Sequence, residues 1–483
     1  MVLMRVAEAL RALPGVREAA ALMGTPANHD LLASAGLATA DTEDATAADL
    51  VIAVLADTDA AAAAGLAEVE RVLTEQRAAV APAGRTLPRT LDTALRQMPD
   101  ANLAAISVPG DYAAFEAQRA LRRGLHVFLF SDNVSLDDEI ALKRLAVERG
   151  LLCMGPDCGT AYIGGVGLGF ANVVPRGRVG CVAASGTGLQ AVVSRLAARG
   201  EGVSHAIGVG GRDLSSEVGG AMSLAALEAL AADAGTEAIV VIGKPPAPDV
   251  VPRLEAAIER IARPVVVCCL GARPAGAGAG RWVGTLDDAA ELTVAMLRGQ
   301  SWTARPFGAP GDVRARLARV SAAGSTILGL YTGGTLAHEA TLVLEPLVGA
   351  EAFRTIDLGD DEFTRGRPHP MIDPEARAAR IRRAGASGEA GVLLLDLVLG
   401  RAVHPDPATP LAAALGEARR AAGRPLAAVA SVVGTEGDPQ DLRRQVATLE
   451  AADVHVLPSN AEAARFAALL VRPELAGSLL DRA

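Results

Sequence analysis

The strongest constraint on this chain is that its later part is written twice. The segment GRVGCVAASGTGLQAVV, from Gly177, is echoed by STILGLYTGGTLAHEA, from Ser325. HAIGVGGRDLSSE, from His205, is echoed by RTIDLGDDEFTRG, from Arg354. AIVVIGKPPAPD, from Ala238, pairs with VLLLDLVLGRAVHPDP, from Val392, and RPVVVCCLGARPAG, from Arg263, with RPLAAVASVVGTEGDP, from Arg424. Any parallel α/β domain alternates strand, loop and helix, and that alone produces a period. It does not produce matched glycine loops at corresponding strand ends, in the same order. The repeat predicts two flavodoxin-like domains, 175–300 and 320–483, joined by a connector at 300–323.

Before the repeat, five apolar runs alternate with amphipathic stretches: VREAAALM, DLVIAVLA, NLAAISVP, LHVFLF and LLCMG. That spacing suggests βαβ units and a Rossmann-like, parallel-sheet domain over 1–170. Residues 76–99 interrupt the pattern and read as a surface excursion. The fold class expected for the whole chain is α/β with parallel sheets.

Composition excludes several functions. The net charge of −10 and an aromatic content of 3% argue against a nucleic-acid or anionic-lipid surface. An anionic ligand would need local basic groups. The five cysteines lie mostly in apolar runs, without a CxxC pair, and the seven histidines show no ligand spacing. They predict buried thiols in a reducing compartment and no metal site. Charged residues punctuate the N-terminus, and Asp396 interrupts VLLLDLVLG, so neither a signal peptide nor a membrane span is expected. The expected location is the cytoplasm.

Candidate chemistry gathers at strand ends. Ser185, Gly186, Thr187 and Gly188 follow one strand and open a helix; Thr332, Gly333, Gly334 and Thr335 do the same in the second copy. Helix starts present unpaired N–H groups and a positive dipole end, so two facing one another would suit a phosphate or acyl phosphate. A single such loop is equally an ordinary turn. Gly210, Gly211 and Arg212 offer a glycine nest with a guanidinium. Arg365, Arg367 and His369, in the stretch RGRPHP, could clamp a carboxylate, with His369 as acid or base. Lys244 closes its strand and reads equally as a surface lysine or an anion ligand. Thr435, Glu436 and Asn133 are weaker candidates.

These motifs resemble the succinyl-CoA synthetase superfamily. GPDCGT, GRVGCVAASGTG, AIGVGGRD and TEAIVVIGK look like landmarks of its α subunit, and GLYTGGTLAHEA like the matching loop on its β side. Within it, MGTPAN, PDANLAAISVPGDYAA, FSDNVSLDDEI and IDLGDDEFTRGRPHPMIDP resemble the FdrA family over nearly the full length. The synthetase loop that carries a phosphorylated histidine falls near Arg273-Pro274-Ala275-Gly276-Ala277-Gly278, which holds none, and Lys244 stands where its supporting carboxylate would be. Only Gly24 remains of the glycine-rich CoA loop.

The FdrA resemblance implies a subunit of an oxamate carbamoyltransferase, working with other subunits of a hetero-oligomeric complex. Its reaction takes oxalurate and phosphate to oxamate and carbamoyl phosphate. It implies phosphate as co-substrate, a small anionic substrate, no required cofactor and no obligatory CoA. His369, Lys244 and Arg367 would be catalytic; the two helix-start loops, Gly210, Gly211, Arg212 and Arg365 would bind phosphate and substrate. The alternatives are an NDP-forming acyl-CoA synthetase subunit that does bind CoA, and a non-catalytic assembly module.

Overall fold

The computed structural model describes residues 2–24, 26–46, 49–80, 87–272, 280–320, 324–364 and 368–481. The described chain divides into two units: 1–99 with 361–368, and 100–360 with 369–483.

The smaller unit corrects the expected parallel order of the first two apolar runs. β1 (Val16–Met23) and β2 (Leu50–Ala56) pair antiparallel, in a two-stranded sheet of their own. Val6 and Leu10 of the helix Val2–Arg11 and Val69 of the helix Asp59–Val80 pack on it. The sequence carried the sign of this. β1 has charged residues at Arg17 and Glu18, and each strand buries only part of its length. Strands covered on both faces read as unbroken apolar runs instead.

In the larger unit β3 (Leu103–Ile106), β4 (His126–Leu129) and β5 (Cys153–Met154) form the expected parallel sheet. β6 (Thr160–Ile163) and β7 (Val166–Gly169) leave it. They make a hairpin added antiparallel to the edge of the next sheet, so the boundary expected at 170 falls earlier.

The repeat is realised strand for strand. The first copy holds β8 (Arg176–Ala183), β9 (Val203–Gly208), β10 (Ala238–Gly243), β11 (Val265–Cys269) and β12 (Arg281–Trp282). The second holds β13 (Ile327–Tyr331), β14 (Phe353–Asp357), β15 (Val392–Val398), β16 (Ala427–Val433) and β17 (Val454–Leu457). The spatial orders are β9-β8-β10-β11-β12 and β14-β13-β15-β16-β17. Both are the parallel 2-1-3-4-5 arrangement of flavodoxin-like sheets, which places ligands beyond the carboxyl ends of the strands. β10 and β15 are buried along their whole length, as sheets covered by helices on both faces require.

One apolar core runs through both copies, taking in Val192 and Val240 from the first and Leu336, Leu394 and Phe466 from the second. Buried polar groups fix the register between them. Asn172 donates to Leu399 O at 2.9 Å and to Asp438 Oδ2 at 2.8 Å; Thr435 Oγ1 donates to Val173 O at 2.7 Å. Thr435 is therefore structural. The five cysteines are all buried and unpaired with one another, and burial pushes Cys153, Cys158, Cys181 and Cys269 up to about 12, so these thiols are protonated and inert. Among the described residues no helix is long and apolar enough to cross a membrane.

The charge inside β15 is paired with a buried guanidinium. Arg377 Nη1 donates to Asp396 Oδ1 at 2.8 Å and to Asp396 O at 2.6 Å, with both side chains almost wholly buried. Arg377→Ala leaves that carboxylate unpaired in the core. It is expected to destabilise the chain by about 3–5 kcal/mol, read as a lower urea midpoint; a change under about 1 kcal/mol would mean Asp396 is already neutral.

Candidate functional site

Each copy sends its first strand into a helix at the carboxyl edge of its sheet, and the two helix starts meet. The helix Gly186–Ala198 is capped by Ser185, whose Oγ accepts from Gly188 N at 2.9 Å. The helix Gly334–Val348 begins after Gly333, which holds nearly the same extended backbone and has no side chain to cap with. The second helical residue of each is a threonine seated on the other helix's cap. Ser185 Oγ lies 2.5 Å from Thr335 Oγ1. At Gly333 a Cβ would run into the side chain of Thr187, and at Gly188 it would meet Ser185 Oγ at 2.7 Å and Thr335 Cγ2 at 3.0 Å. Glycine stands at these positions because the helices approach too closely for anything else.

The positive ends of two helix dipoles thus converge. Gly186, Thr187 and Gly334 remain partly exposed there, while Gly188, Gly333 and Thr335 are buried. First-turn N–H groups have no partner within their own helix, so they are the donors such a site offers.

Around this point the structure redistributes several expected roles. Thr332 is bonded to Asp396: its N–H lies 3.0 Å from Asp396 Oδ1 and its Oγ1 donates to Asp396 Oδ2 at 2.8 Å. It is 1% exposed, and it anchors the loop. Arg212 is engaged elsewhere. Nε donates to Glu139 Oε2 at 2.7 Å and Nη2 to Val134 O at 2.8 Å. Glu139 also accepts from the buried Lys143, which reaches Asp213 Oδ1 at 2.9 Å, so the guanidinium joins a buried ion network. Gly210, in the left-handed region at φ +85°, packs against Pro156 O, and Gly211 faces open space. Arg365 and Arg367 lie outside the described residues, as does the 273–278 loop.

His369 is reset by its surroundings. Burial and the nearby Arg377 charge hold its imidazole down to about 4, so it is neutral at physiological pH and cannot serve there as a charged acid. Its Nδ1 accepts from Met371 N at 3.2 Å, which leaves the proton on Nε2, and its ring lies 5.6 Å from that of Phe170. Nε2 borders Gly359: a Cβ there would stand 2.8 Å from it and 3.2 Å from Asp357 Oδ1.

Asp357 carries the titration near neutrality instead. It ends β14, accepts from Gly359 N at 2.9 Å, and sets its other oxygen against Gly334, the first residue of the second helix. Burial pushes its carboxyl up to about 6, aided by Asp396 and Asp360 and opposed by the Gly359 N–H and by Lys244. Lys244 is exposed at the end of β10 and also depresses His338, which burial already holds low. Lys244, Asp357 and the second helix start therefore share one neighbourhood.

Asp357 was readable only as an acidic strand end leading into RGRPHP. Asp396 did carry a signal, a lone charge in an apolar strand, which has to find a partner.

Residues 330–470 match the family model of the CoA-ligase domain, and residues 1–86 that described as AllF, heavy metal-associated domain. The fold and these matches define an α/β protein of parallel sheets with a CoA-ligase-like fold. Over 472 residues the chain is 39% identical to the Escherichia coli K12 protein named Uncharacterized protein YahF, covering 92% of this chain and 90% of that one. The chain belongs to the YahF family. It is also 28% identical over 176 residues to the succinate–CoA ligase (ADP-forming) subunit alpha of Methanothermobacter thermautotrophicus, covering 36% of this chain and 58% of that subunit. A chain of Ca. Korarchaeum cryptofilum, described as dinucleotide-forming acetyl-coenzyme A synthetase 1 in complex with phosphate and ADP, is 16% identical; the overlay covers 83% of this chain and 88% of that one at a TM-score of 0.34.

The heavy-metal ion that the second match implies does not fit the N-terminal unit. Residues 1–86 contain no cysteine and a single histidine, His29, a poor donor set for a heavy-metal ion. Among the described residues no group of three or more His, Cys, Asp or Glu side chains could hold a metal. Gly24, the residue expected in a CoA loop, has its Cα packed on the backbone of Ala45 and Thr46.

Two titrations follow. The Asp357 carboxyl is raised in the folded state, so its contribution to stability is present at low pH and is lost as pH rises through about 6. The wild type minus Asp357→Asn stability difference should decline between pH 4 and 6. In NMR spectra the His369 ring should titrate near pH 4; a midpoint near 6.5 would contradict its burial.

Proposed function

We propose that this chain is the subunit of an acyl-CoA synthetase-type enzyme that holds the phosphoryl end of an acyl phosphate between the 186–198 and 334–348 helix starts. The observation that carries this reading is the reciprocal seating of Thr335 on Ser185 and Thr187 on Gly333, which aims two positive dipole ends at one point. As the CoA thiol bonds to the acyl carbon and loses its proton, the acyl–oxygen bond breaks, its electron pair leaves on phosphate, and charge builds on the phosphoryl oxygens. N–H groups already aligned there stabilise that charge without reorganising. Lys244, exposed nearby, adds a positive charge. Asp357, titrating near neutrality beside the second helix start, takes up or returns the proton that moves when the acyl group changes partner. Partner subunits supply what this chain lacks.

A second reading uses the same cradle: carbamoyl transfer of the FdrA type, from a ureido acid such as oxalurate to free phosphate. It is favoured by one feature, the 273–278 segment, which contains no histidine to carry a phosphoryl group between sites. In that reading phosphate enters the cradle directly and leaves as carbamoyl phosphate.

Ser185→Asp separates the cradle from the fold, since aspartate caps a helix as well as serine does but sets a carboxylate in the anion's place. The full-length variant should unfold like the wild type and bind phosphate at least tenfold more weakly by calorimetry. Unchanged affinity would remove the cradle from both readings. With partner subunits co-expressed, thioester formation from acid, CoA and nucleotide would support the first. Carbamoyl phosphate formed from oxalurate and phosphate would support the second.

A further inference from the structure

Away from the helix starts the larger unit holds a partly open cavity of about 390 Å3, within the usual range for small-molecule sites. It lies beyond the carboxyl ends of β16 and β17 and is walled by both copies of the repeat. The first contributes Ser194, two turns along the 186–198 helix, and Asp287 of the helix Leu286–Leu297. The second contributes Ser431 from β16 and Asn460, which opens the helix Asn460–Val471. The remaining wall is largely apolar, with Val446 and Leu457 among its residues.

Three buried polar side chains line this space with an atom that no protein group satisfies. They are the hydroxyls of Ser431, 1% exposed, and Ser194, 6% exposed, and Oδ1 of Asn460, 5% exposed. Asn460 is fixed by its other end, Nδ2 donating to Leu336 O and to Glu339 Oε2, each at 2.8 Å, so Oδ1 cannot turn away to find a donor. Asp287 Oδ1 also accepts no hydrogen bond. Arg195 Nε stands 2.7 Å from it but directs its N–H to Glu291. A buried polar atom without a partner costs free energy that a bound molecule would recover.

The missing groups are donors. Two of the four atoms, Asn460 Oδ1 and Asp287 Oδ1, act only as acceptors when Asp287 is ionised, and the two hydroxyls accept as well as donate. Five carboxylates against two guanidinium groups line the cavity, which disfavours an anion. We propose that this cavity is a second binding site, for a small organic cation with an apolar body, such as an alkylamine or alkylguanidine. Its N–H groups bond Asp287, Asn460 and Ser431, and its alkyl part lies on the apolar wall. The Asp287 carboxyl, pushed up to about 7 chiefly by burial and against the opposing charge of Arg195, would release a proton on binding.

The test titrates the full-length chain by calorimetry with three probes of similar body: n-butylguanidinium, n-pentanamide and pentanoate. The guanidinium should bind saturably at one site per chain, at least tenfold tighter than the amide, and saturating sulfate should not displace it. Pentanoate should not bind. Asp287→Asn and Ser431→Ala should each weaken the guanidinium tenfold or more. Ser431→Ala removes an unsatisfied buried hydroxyl, so its fold is secure even where Asp287→Asn is compromised. Absence of saturable guanidinium binding would overturn the proposal. So would equal affinity for all three probes, or an affinity that Ser431→Ala leaves unchanged.

Discussion

The architecture of this protein turns on two helix starts brought closer than side chains normally permit. Glycine at 333 and 188 is what lets Thr187 and Thr335 cross over to the opposite caps. The arrangement is electrostatically uncomfortable when empty, because two positive dipole ends face each other. Part of that potential is met by the Asp357 carboxyl against Gly334, which itself sits in an environment that favours its neutral form. In the proposed function this field, built into the backbone, is what receives an anion.

Keeping the helix starts in place is the task of buried polar groups. Asp396 accepts from the Thr332 backbone and hydroxyl, and is in turn paired with Arg377. Asn172, Gln190 and Asp438 tie the first copy to the second through Leu399 O and Val173 N. These buried polar links sit within a shared apolar core, so a slip of one copy against the other would leave several of them unsatisfied at once. This chain thus carries its crossed helix starts on a scaffold held in register by buried polar bonds.

The parts of the site legible in the sequence were those determined locally. Ser185-Gly186-Thr187-Gly188 and Tyr331-Thr332-Gly333-Gly334-Thr335 announce strand-to-helix turns by residue type alone, and the repeat implied that they correspond. What could not be read was how each polar side chain is used. Thr332 and Thr335 occupy one motif, yet one anchors the loop to Asp396 and the other reaches Ser185. Arg212 looked available until Glu139, far away in sequence, claimed it. His369 looked like a neutral-pH acid or base because exposure cannot be seen in a string of letters.

Two separate orders of information therefore meet here. By itself the sequence determined the α/β class, the duplicated flavodoxin-like strand plan and the two helix-start loops, because apolar runs, glycines and caps act over a few residues. Tertiary structure alone decided that β1 and β2 pair antiparallel, that the helix starts cross, and that Asp357 rather than His369 titrates near neutrality. Those outcomes depend on burial and on partners distant along the chain, and proton affinity follows the dielectric and the charges a group finally meets.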